Sequence, residues 1–127
     1  MRFRKIFVSK EIKELRARVE TEPDNPAMHF NLGAAYEKVG RTDEAILEFE
    51  ATLKGNPNSA EAHYNLAILY ASMNKGKKAI HHIVKAGTLF GNKNDRVNNG
   101  EARRLSREYY RKFNVKPEKG TQNDSEL

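Results

Sequence analysis

The stretch Asn31–Gly40, NLGAAYEKVG, returns as Asn65–Asn74, NLAILYASMN. Asparagine, leucine, a small residue and tyrosine keep their order, and the second copy begins 34 residues after the first. Within each copy the apolar residues fall three or four apart, Leu32, Ala35 and Tyr36 in one and Leu66, Leu69 and Tyr70 in the other, which is the period of a helix with one buried face. A phrase that recurs at a fixed interval marks a supersecondary unit stacked on a copy of itself.

Working outward, the same periodicity predicts about six helices and no strand. A first helix runs from Ser9, a candidate N-cap, to about Glu20 with Ile12, Leu15 and Val19 inward. EPDNP interrupts it, and Pro26 opens a second helix to Val39 that Gly40 ends. Thr42 is read as the cap of a third helix, with Ala45, Ile46, Phe49 and Leu53 inward and GNPN closing it. Ser59 caps a fourth over Ala60–Met73, and a fifth spans about Gly76–Leu89 with Ala79, Ile80, Ile83 and Ala86 inward. GNKNDRVNNG is read as a polar loop, followed by a sixth helix over roughly Glu101–Phe113.

The residues that carry the repeat resemble the tetratricopeptide repeat, a helix–turn–helix unit of 34 residues with the pattern W-x2-L-G-x2-Y, A-x3-F and P. His29, Leu32, Gly33 and Tyr36, then Ala45 and Phe49, then Pro57 fill one copy. His63, Leu66, Ala67 and Tyr70, then Ala79 and Ile83, fill the next, with Gly91 in place of the proline and histidine in place of tryptophan in both. One period earlier, Leu15, Val19 and Pro23 match Phe49, Leu53 and Pro57. The resemblance implies an all-α superhelix of stacked helix pairs: a basic extension over 1–8, then a repeat domain over 9–116. That domain divides into a half repeat at 9–25, repeats at 26–59 and 60–93, and a capping helix at about 99–113, before a disordered tail at 117–127. The sixth helix lacks the leucine, small residue and tyrosine in register, hence its reading as a cap.

Composition narrows the function classes. The chain has 127 residues, no cysteine and a net charge of +6, so disulfide frameworks, thiolate zinc sites and cysteine nucleophiles are excluded. The apolar run in MRFRKIFVSK stops at Val8, too short for a signal peptide, and no stretch approaches the ~20 apolar residues of a membrane span. The expectation is a soluble, cytoplasmic chain. Residues 20–59 carry three basic and eight acidic groups, whereas residues 60–119 carry thirteen basic and five acidic.

Neither catalysis nor a cofactor is indicated. His81 and His82 are adjacent and diverge by ~100° on a helix, while His29 and His63 occupy equivalent repeat slots, so a packing role is expected and no metal site. Glu48, Glu50, Asp43 and Glu44 read as a solvated face and as first-turn helix charges.

What remains is recognition. The resemblance implies a concave side lined by the first helix of each pair, where family members hold a peptide. The residues facing it are Ala27, Phe30, Asn31, Ala34 and Glu37 in one repeat, and Glu61, Tyr64, Asn65, Ile68 and Ala71 in the next. Phe30, Tyr64 and Ile68 are large apolar groups outside the stacking pattern, of the kind that anchors a peptide. The expected activity is therefore a non-catalytic scaffold or adaptor for a peptide segment of another protein. The carboxylate clamp by which some family members grip chaperone tails is not supported, because Phe30 and Ala34 stand where Lys and Asn are required. Arg103, Arg104, Arg107 and Arg111 crowd the last helix as a basic patch, which makes a nucleic acid or other polyanion the alternative partner. Self-association through the apolar face is the third reading.

Overall fold

The computed structural model describes residues 2–116, with side chains described from Lys10 onward. Six helices follow one another: α1 (Arg2–Thr21), α2 (Pro26–Lys38), α3 (Thr42–Gly55), α4 (Ala60–Ser72), α5 (Gly76–Asn92) and α6 (Arg96–Lys112). Each packs on its neighbours in chain order, most extensively α4 on α5, α2 on α3 and α5 on α6. The result is an all-α solenoid, with no strand among the described residues. The expected tail at 117–127 lies outside the described residues.

Local chemistry explains most boundaries. The Asn25 side chain accepts from the Ala27 amide ahead of Pro26, and Ser59 accepts from Ala62. These bonds satisfy N–H groups that no helical carbonyl reaches. Gly40 takes φ +77 after α2, and Asn74, Asn94 and Asn114 adopt the same left-handed turn after α4, α5 and α6. Glycine does this without steric cost, and asparagine is among the few other residues that visit it.

Four expectations are corrected. Helix α1 begins at Arg2, so Ser9 lies inside it and is not a cap; residues 2–8 contain neither proline nor glycine to stop the backbone. Thr42 is the first helical residue of α3, Arg41 is the cap position, and no side-chain cap bond forms. Helix α5 continues past Leu89 to Asn92, because Gly91 stands where Pro57 follows α3 and does not forbid another turn. The polar GNKNDRVNNG is mostly helix: Asp95 accepts from the Asn98 amide and starts α6 at Arg96.

The core is one continuous cluster. Phe49, Leu66 and Ile83 are fully buried, with Leu32, Tyr36, Tyr70, Ile80, Phe90, Leu105 and Tyr109 around them. Helices α2 and α3 approach so closely at Gly33 that a Cβ there would stand 3.0 Å from the Phe49 ring. The glycine of the repeat phrase is thus a spacing requirement.

Candidate functional site

Helices α2 and α4 carry the predicted recognition residues, and the 34-residue offset places Phe30 and Tyr64 at equivalent points. Ala27 and Asn31 are exposed. With Phe30 and Glu61 they line a recess of about 320 Å³ where the start of α2 meets the end of α3 and the start of α4. Ala34, Tyr64, Asn65 and Ile68 lie outside that recess, and each is half-buried. Among the described residues, neither Asn31 nor Asn65 makes a side-chain hydrogen bond, which leaves both amides available.

Phe30, Tyr64 and Ile68 are not spare groups. Phe30 meets Phe49 edge-on with ring centroids 5.4 Å apart, Tyr64 meets Phe90 at 6.4 Å, and Ile68 and Ala34 also pack on the core. The expectation that they stand outside the stacking is corrected: their inner edges belong to it, and only their outer edges face solvent. Burial pushes the Tyr64 phenol up, with Glu101 adding to the effect and Arg104 opposing it.

Arg103, Arg104, Arg107 and Arg111 of α6 differ in their pairing. Arg104 donates to Glu101 at 2.6 Å and to Glu108 at 3.1 Å on the flank nearest Tyr64. Arg103, Arg107 and Arg111 step by four along the helix, and no carboxylate among the described residues pairs with them. Arg103 and Arg107 line a trough between α5 and α6. At about 100° per residue, Glu101, Arg104 and Glu108 fall within about 60° of one another, whereas Arg103 stands about 100° from Arg104 and Arg107 lies between the two flanks.

Three of the four histidines, His29, His63 and His82, are packed, and their bonding was not foreseen. His29 Nε2–H donates to the Pro23 carbonyl at 2.6 Å, and its Nδ1 lies 2.7 Å from Glu48. Burial lowers the His29 pKa, but the bonds to Glu48 and Pro23 outweigh it and leave the value raised. One period on, His63 Nε2–H donates to the Pro57 carbonyl at 3.1 Å, but its Nδ1 meets His82 Nδ1 at 2.9 Å. Residue 82 is the repeat mate of Glu48, so the second repeat replaces a carboxylate by a second imidazole. Burial, with neighbouring positive groups, depresses His63 and pushes His82 down to about 4. His81 is exposed. Glu48 and Glu50 are not solvated as expected: Glu50 accepts from Tyr70 Oη at 2.9 Å, and both are half-buried. Asp43 and Glu44 do sit in the first turn of α3. Among the described residues, no cluster of three or more His, Cys, Asp or Glu is placed to hold a metal ion, and no helix is long and apolar enough to cross a membrane.

The sequence matches family models described as tetratricopeptide repeat over residues 38–103 and 10–51. Among solved structures, a MamA AMB-1 chain is 33% identical with TM-score 0.61, covering 65% of this chain and 48% of that one. A second MamA AMB-1 structure is 31% identical with TM-score 0.63, covering 68% and 47%. The chain therefore spans about half the length of these two MamA chains. The TPR2B domain of yeast Sti1, in complex with pHsp70, is 19% identical with TM-score 0.75, covering 87% and 88%, a likeness of fold alone. No curated protein matches the sequence.

Proposed function

The chain belongs to the tetratricopeptide repeat family, and we propose that it is a non-catalytic cytoplasmic adaptor holding a peptide segment of another protein along its concave side. The observation that carries the reading is the recess at Ala27, Phe30, Asn31 and Glu61. There an apolar ring is rooted in the core and flanked by an amide without an internal partner. A ring held from below presents area without losing much side-chain freedom, which favours it as an anchor. Asn31 and Asn65 supply donors and acceptors to a peptide backbone, and Tyr64 and Ile68 extend the apolar contact along α4. The polyanion alternative is weakened because Arg104 is internally neutralised by Glu101 and Glu108.

The test avoids residues that hold the core. Asn31→Ala with Asn65→Ala, and separately Ala27→Arg, are expected to leave helicity and urea midpoint unchanged. Both should abolish capture of a polypeptide from nuclease-treated native extract, and both should weaken a synthetic peptide from that polypeptide at least about tenfold. Capture indifferent to both variants, or only of nucleic acid in untreated extract, would overturn the reading.

A further inference from the structure

We propose that the trough between α5 and α6 is a second docking surface, separate from the concave side, that seats an acidic amphipathic helix of a protein partner. Its volume is about 550 Å³. One wall carries Val84, Thr88 and Asn92 on α5, and the other carries Asn99, Arg103 and Arg107 on α6. Both series step by four residues, so each wall is an i±4 ridge, the relief into which the ridges of another helix fit.

The floor is kept low by small residues. A Cβ on Gly87 would stand 3.5 Å from the Ala102 Cβ, so the backbones approach closely and nothing bulky rises between the walls. Asn99 Nδ2 donates to the Gly87 carbonyl at 2.8 Å and ties the walls together beneath the opening. Val84 is 40% exposed at the rim, an apolar group without a cover.

Charge selects the occupant. Glu101 and Glu108 pair with Arg104 on the other flank, so the trough side of α6 is left to Arg103 and Arg107. Carboxylates at four-residue spacing on a docked helix would meet Arg103 and Arg107 in register, and complementary charge fixes both encounter and orientation. The lining has no aromatic residue on which a base would stack, which disfavours single-stranded nucleic acid.

The experiment titrates the ¹⁵N-labelled full chain with two synthetic helical peptides of about five turns. They share a leucine stripe and differ in carrying Glu or Lys at flanking positions four apart. The Glu peptide is expected to shift the amides of Val84, Thr88, Asn99 and Arg103, and not those of Asn31 or Tyr64, while the Lys peptide does not bind. Arg103→Glu with Arg107→Glu should weaken the Glu peptide at least about tenfold and admit the Lys peptide. Thr88→Arg, an exposed wall position, should block both, and Asn31→Ala with Asn65→Ala should change neither. No shift in the trough, shifts confined to the concave side, displacement by poly(U) RNA, or a trough already filled by a second copy of the chain in sedimentation would each overturn the proposal.

Discussion

Acid should loosen the second repeat, and the buried His63–His82 pair fixes the pH window. The Pro57 carbonyl only accepts, so neutral His63 carries its hydrogen on Nε2 and offers the Nδ1 lone pair, to which His82 Nδ1–H donates. A proton added to His63 forces His82 to move its own hydrogen to Nε2, and a second proton leaves two donors facing each other. His82 falls from an ordinary 6.5 to about 4, chiefly through burial and next through His63. The unfolded chain therefore binds a proton between those values that the folded chain refuses. Stability contributed by a depressed histidine is present above 6.5 and is lost as pH falls toward 4. At about 1.36 kcal/mol per pH unit the loss is on the order of 3 kcal/mol, and His63, depressed in the same direction, adds to it.

The control is supplied by the first repeat. His29 faces Glu48, its pKa is raised, and its contribution runs the other way: it is full below 6.5 and lost as pH rises past the folded value. His82→Glu gives His63 the same partner that His29 has. Urea unfolding followed by far-ultraviolet circular dichroism at steps from pH 7 to pH 4 should show the acid loss in the wild type and its disappearance or reversal in His82→Glu. An equally steep loss in that variant, or a flat wild-type profile over the window, would refute the reasoning.

Two further outcomes concern packing. Tyr70→Phe removes the 2.9 Å bond to Glu50 and leaves a half-buried carboxylate without that donor, so a loss of about 1–2 kcal/mol in urea unfolding is expected; an unchanged midpoint would show that water replaces the phenol freely. Gly33→Val places a branched side chain where even a Cβ would be 3.0 Å from the fully buried Phe49 ring. It should cost about 1–3 kcal/mol by overpacking although valine is the better helix former, and a stabilised variant in thermal unfolding would contradict the close approach of α2 and α3.

The fold was legible because the repeat states one packing surface twice. Leu32, Tyr36, Leu66 and Tyr70 are buried as their spacing requires. Boundaries were less legible where composition misleads: Asn and Asp between 92 and 99 read as loop, yet Asp95 is a cap and Asn94 a left-handed turn within a short break. The row of Ala27, Phe30 and Asn31 was legible from the helical period together with the family resemblance, but period does not say how deep a side chain sits. The histidine pair was hidden because its members are 19 residues apart. Only subtracting one repeat from His82, which lands on Glu48 opposite His29, exposes it. The separation of Arg103 from Arg104 was open to angular reasoning, because neighbouring residues diverge by ~100° on a helix.

Helix α6 connects these threads. One repeat after Leu66, Ala67 and Tyr70 the sequence has Gly100, Glu101 and Arg104, so the stacking phrase is absent and the helix turns Ala102, Leu105 and Tyr109 inward instead. The residues freed from stacking settle on two flanks with opposite fates. Glu101 and Glu108 both pair with Arg104 close to Tyr64, so that flank carries one net negative charge. Arg103 and Arg107 are left without carboxylates beside a trough floored by Gly87 and Ala102. A helix that merely covered a core would need no such segregation, because exposed charges are equally soluble when mixed. Sorting them by flank gives the two sides of α6 different electrostatic character, and the proposed docking of an acidic helix in the trough draws on that difference.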